Sequence, residues 1–168
     1  MTPLHKLYTL SGWLSGLFLV LICVLVVAQI VARQLGSMVP SADEFAAYAM
    51  AASGFLALPY ALHRGAHIRV ELLHRLLPKR GQVVADVAST LVGLFIAVYL
   101  AWYCALFVIE SYEFNEVSSG LLPIPMWVPQ LPMALGTLIL VVAMTERLLL
   151  ICRGRRFETG NASDTMSE

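Results

Sequence analysis

From Leu10 to Ala32 the chain carries no charged side chain and almost every residue is apolar. About 20 such residues are needed for a helix to cross a bilayer core roughly 30 Å thick. Three more stretches share this character, from about Phe45 to Leu62, Val83 to Ile109 and Trp127 to Ile151. The pattern predicts an all-α integral membrane protein with four transmembrane helices. Composition agrees. Only 13% of residues are charged and the mean hydropathy is +0.77, whereas a soluble domain carries about a quarter charged residues. Lys6 precedes the first run, but a signal-peptide apolar core is only about 7–15 residues long, so this run reads as a retained anchor.

The second run is the least apolar. It is rich in Ala and contains Pro59, which frees a backbone carbonyl and kinks a helix. Neighbouring helices tolerate such a break in a membrane. Charge supports counting it. With four spans, one side holds Lys6, Arg64, Arg69, Arg75, Lys79, Arg80, Arg147, Arg153, Arg155 and Arg156, while the other keeps only Arg33. Acidic residues gather beside Arg33: Asp43, Glu44, Glu110, Glu113 and Glu116. Basic residues are retained in the cytoplasm, so both termini are expected there. Three spans would split the basic loop from the basic tail. Residues 1–152 form the expected membrane domain, and 153–168 a polar tail expected to be disordered.

Ser41-Ala42-Asp43-Glu44 reads as a capping box opening the second helix, with Ser41 and Glu44 bonding each other's backbone amides. A second possibility pairs one of these acids with Arg33. In the middle loop, Ile68, Leu72, Leu73, Leu76 and Leu77 share one helical face and Glu71, His74 and Arg75 another. This predicts a short amphipathic helix in the cytoplasmic headgroup layer. Its interfacial, lipid-facing candidates are Arg64, His67, Arg69, Arg75, Lys79 and Arg80. His63 and His67 are four apart, a weak metal or haem signal at the membrane boundary.

The third helix has a small residue at every fourth position: Ala85, Ser89, Gly93, Ala97, Ala101 and Ala105. Small residues let helices approach closely in lipid. Gly12 and Gly16 repeat the pattern in the first helix. Such rows pack either inside the chain or against a second membrane subunit. Candidates for a partner interface are Gly12, Gly16, Arg33, Glu44, Ser89, Gly93, Ala97 and Ala101.

Ionisable groups within a membrane are functional candidates. Asp86 and Glu146 lie near the cytoplasmic surface, and Gln29 is the main polar residue deep in the first helix. A carrier needs a polar midplane site, so this chain is not expected to form a transport path itself. No nucleotide loop, zinc-protease helix or nucleophile elbow occurs. Cys23, Cys104 and Cys152 have no metal-ligand spacing. No catalytic residue, metal or cofactor is expected. The proline-rich segment 121–132, with Trp127 at the outer interface, reads as a turn into the fourth helix.

Taken in order, the features resemble the small membrane subunit of tripartite ATP-independent periplasmic (TRAP) transporters, the DctQ-type family. An arginine (Arg33) ends the first helix and Glu44 opens the second. Gly65-Ala66-His67-Ile68-Arg69-Val70-Glu71 is similar to the family's Gly-x-His-Ile-x-Val-acid stretch, with Glu71 where Asp is usual. Ile124-Pro125-Met126-Trp127 is similar to its Ile-Pro-x-Trp. The resemblance implies a non-catalytic subunit beside a large membrane subunit that carries a carboxylate-bearing solute inward with sodium. A periplasmic binding protein would deliver the solute, in a bacterial inner membrane. No nucleic acid partner is expected. Two other readings stay open: a membrane anchor of a haem or quinone redox enzyme, and a small self-assembling efflux carrier.

Overall fold

A computed structural model describes residues 3–64 and 79–153. It contains four helices: α1 (Pro3–Gln34), α2 (Ala42–His63), α3 (Lys79–Glu113) and α4 (Trp127–Cys152). All four are long and apolar enough to cross a membrane. The predicted amphipathic helix, with His67, Arg69 and Arg75, lies outside the described residues, as does the tail beyond Arg153.

The helices outrun the apolar runs. α1 begins at Pro3, a residue suited to the first helical turn because its missing N–H would be unbonded there anyway. α3 has 35 residues, which at 1.5 Å per residue is about 52 Å, well beyond a hydrocarbon core. α2 continues through Pro59 to His63.

Two helix ends share one closure. After α1, Gly36 takes a left-handed conformation (φ 71°). Ser37 N–H then bonds the Ala32 carbonyl at 2.9 Å, and Gly36 N–H that of Arg33 at 3.2 Å. After α3, Asn115 (φ 48°) fills the Gly36 position, with Glu116 N–H on the Ser111 carbonyl at 3.1 Å. This Schellman pattern satisfies carbonyls that a helix end leaves open. Both turns lie at one end of the bundle, called here the loop end. The start of α1, the end of α2 and the end of α4 meet at the terminal end.

The helices pack in the spatial order α1, α2, α4, α3. α1 and α3 are therefore the two edges. Small side chains set each crossing. A Cβ at Gly12 would sit 2.7 Å from the Tyr60 ring, and one at Gly136 only 2.6 Å from the Phe55 backbone. Ser15 and Ser53 bond reciprocally: Ser15 Oγ donates to the Ser53 carbonyl at 2.9 Å, and Ser53 Oγ to that of Ser15 at 3.1 Å. Ala97 and Ala101 of α3 are buried, and Gly93 faces the Met144 side chain of α4.

The burial pattern is inverted relative to a soluble protein. Alanine, serine and threonine fill the interior, while Leu17, Val20, Phe95 and Trp102 are each at least 60% exposed. In lipid, helices gain by close packing at small residues, and large apolar side chains lose nothing by facing outward. At the terminal end Tyr8, Leu62 and Ala143 form a compact cluster with Leu4, Ile139, Leu140 and Met144.

Candidate functional site

Polar side chains concentrate at the two ends of the bundle. At the loop end, residues 114–126 fold back on themselves. Val117 and Pro125 form an isolated antiparallel bridge. Ser118 N–H bonds the Ile124 carbonyl at 2.8 Å, and Met126 N–H that of Glu116 at 2.9 Å. This small hairpin sits on the start of α2. Ser118 Oγ donates to the Glu44 carboxylate at 2.6 Å, and Leu122 N–H donates to Ser41 Oγ at 3.1 Å. Gly120 lies so close to the Glu44 carboxylate that a Cβ there would overlap it.

These contacts correct the capping-box expectation. Ser41 is left-handed (φ 56°), and its side chain caps no α2 amide. The hairpin recruits both halves of the box: Ser41 accepts from Leu122, and Glu44 is held by Ser118. The Ser118–Glu44 bond is charge-assisted, roughly twice as strong as a neutral one. The alternative pairing with Arg33 is not formed either. Asp43 accepts from Gln29 Nε2 at 2.9 Å. Arg33 is exposed, and its guanidinium has no hydrogen bond or ion pair among the described residues.

A second relay anchors the hairpin from below. Gln130 Nε2 donates to Ser111 Oγ at 2.9 Å, and Ser111 Oγ donates to the Glu116 carboxylate at 2.9 Å. The predicted turn into α4 is present. Its bridge and its grip on α2 had no local sequence signal, because both depend on residues far apart in the chain.

At the terminal end, buried Tyr8 donates its hydroxyl to the Glu146 carboxylate at 2.6 Å, joining α1 to α4. The His5 and His63 rings meet edge to face at 4.7 Å. Arg64 Nε donates to the Tyr60 hydroxyl at 2.9 Å. No group of three His, Cys, Asp or Glu is placed to hold a metal among the described residues.

The model of the family of tripartite ATP-independent periplasmic transporters, DctQ component, matches residues 22–154. The chain belongs to that family. Comparison with the curated proteins finds no match. As a DctQ component it is a multi-pass membrane protein. It is the small permease subunit of a transporter that also has a large membrane subunit and a periplasmic binding protein.

The DctQ chain distributes its sequence-predicted interface residues unevenly. Gly12 is occupied by Tyr60 inside the chain, whereas Gly16 has nothing within 4 Å of its Cβ position. Gly16 opens onto a groove of about 450 Å³, lined among others by Thr9, Trp13, Leu17 and Tyr60. Ser89 is exposed. Ala97 and Ala101 are buried, on the helix that packs against α4. Gly93 is likewise partly covered by Met144. The small-residue row of α3 is thus mostly an internal seam. Sequence reading missed Tyr8, Gly120, Gly136 and the Ser15–Ser53 pair. Ser11 and Ser15, spaced four apart like Gly12 and Gly16, were the available hint for that last contact.

Proposed function

We propose that this DctQ chain is a non-catalytic scaffold for the large transport subunit and helps dock the periplasmic binding protein during sodium-coupled uptake of a carboxylate solute. The loop end then faces the periplasm, and both termini lie in the cytoplasm of a bacterial cell, with the chain in the inner membrane. One observation carries the scaffold reading. Ser15 and Ser53, in the interior between the two ends, use their hydroxyls to join α1 to α2. Such side chains supply adhesion between helices. A transport path instead needs polar groups converging on a midplane site.

The loop end supplies the docking surface in this reading. Arg33 presents an exposed cation at the loop end, the end of the bundle that also carries Asp43 and Glu116. Rim charges of this kind steer encounter and set orientation. The basic residues around 64–80 and the end of α4 stay at the cytoplasmic headgroups, where anionic lipid attracts them.

Reconstitution tests this. Proteoliposomes with the large subunit, the binding protein and this chain should take up solute when a sodium gradient is imposed. Omitting this chain should abolish uptake. Full uptake without it would contradict the scaffold role, and uptake by this chain alone would make it a carrier.

A further inference from the structure

The two edges of the bundle differ in chemistry. Beyond Trp13, near its start, the outward face of α1 is aliphatic, with Leu17, Val20, Val24, Val27 and Val31 exposed, and this is a surface that lipid chains suit. The outward face of α3 is aromatic and partly polar. Phe95, Tyr99, Trp102 and Tyr103 are each more than half exposed, and their spacing puts them on one stripe. The Tyr99 and Tyr103 rings lie 4.6 Å apart. Neither phenol has a hydrogen-bond partner among the described residues.

Depth makes this stripe unusual. Tyr and Trp exposed to lipid belong at the membrane–water interface. On this side that level is marked by Tyr112 and Trp127, whose rings meet edge to face at 5.9 Å. At 1.5 Å per residue, Tyr103 and Tyr99 lie about 14 and 20 Å further in along α3. In a core roughly 30 Å thick that is the middle of the membrane. A phenol hydroxyl there finds no water, and leaving it unbonded in hydrocarbon is unfavourable.

We infer that the Tyr99–Trp102–Tyr103 face of α3 is the seat of the large membrane subunit, which meets it with hydrogen-bond acceptors at mid-membrane depth. This rests on the subunit reading above and adds which edge is used. The occupant is a transmembrane protein because lipid chains offer no acceptor at that depth. Rigid Tyr and Trp side chains also give large contact area at little entropic cost and recur at interface hot spots. In this assignment α3 meets the large subunit, while α1 faces lipid.

Site-specific photocrosslinking in the intact transporter tests this. A benzophenone amino acid is placed singly at Tyr99 or Trp102, and for comparison at Leu17 or Val24. The α3 probes should yield an adduct with the large subunit, and the α1 probes should not. Removing only the two hydroxyls (Y99F/Y103F) should weaken the complex about five- to ten-fold, the effect of two average interhelical hydrogen bonds. Adducts from α1 with silence from α3, in a complex that still co-purifies, would overturn the assignment alone. If the wild-type chain recovered no large subunit at all, the subunit reading would fall, and this inference with it.

Discussion

Ser118 donates a 2.6 Å hydrogen bond to the carboxylate of Glu44, 74 positions away in the chain. That bond clamps the α3–α4 hairpin onto the start of α2. It also takes from α2 the carboxylate that a capping box would have used. The loop end is therefore a built surface, with its shape fixed by three segments.

Breaking the clamp should loosen this end without unfolding the bundle. Ser118→Ala leaves Glu44 without its donor and should cost about 1–3 kcal/mol. Gly120→Ala should do at least as much, since its methyl overlaps the Glu44 carboxylate. Limited proteolysis between residues 114 and 126 should accelerate in both variants, while helix content measured by circular dichroism stays unchanged.

Two glycines should respond in opposite ways. Gly136→Val pushes α4 away from the Phe55 backbone and should destabilise by about 1–3 kcal/mol or more, as overpacking does. Gly16→Ala meets nothing within 4 Å. It should be neutral or mildly stabilising, because Ala is the better helix former by about 1 kcal/mol. Thermal unfolding of the purified protein in one detergent compares them directly.

The contrast shows what was legible in the sequence. The four spans were, because uninterrupted apolar length leaves a helix few alternatives in a bilayer. Their ends were less so. α1 and α3 extend into polar residues such as Lys6 and Glu113, where hydropathy falls but hydrogen bonding continues. The contacts that fix the arrangement were not legible. Gly16 and Gly136 look alike in sequence, and only the α2–α4 crossing tells them apart. The capping box at Ser41 is locally plausible and fails because a distant loop competes for the same two side chains.

Tyr8→Phe removes the hydroxyl that holds Glu146 and should destabilise by about 1–3 kcal/mol, the cost of stranding a carboxylate. Tyr48→Phe is the matched control. Its hydroxyl reaches only the Met126 sulfur, at 3.4 Å, and sulfur is a weak acceptor. That variant should change stability by no more than about 0.5 kcal/mol. Unfolding midpoints in a single detergent separate the two.

Orientation is open to labelling with a membrane-impermeant maleimide. With Cys23 and Cys104 replaced by alanine, native Cys152, which is exposed, should react only after the membrane is permeabilised. A single Met38→Cys at the exposed loop end, with Cys152 also replaced, should react in spheroplasts. The reverse pattern would invert the topology drawn from the basic residues.

The most direct test of the central claim is to tag this chain in its native operon, extract it mildly and identify what accompanies it. The account predicts a large, many-span membrane protein at fixed stoichiometry. A chain recovered alone and self-associated, or bound to a haem-containing enzyme, would contradict it.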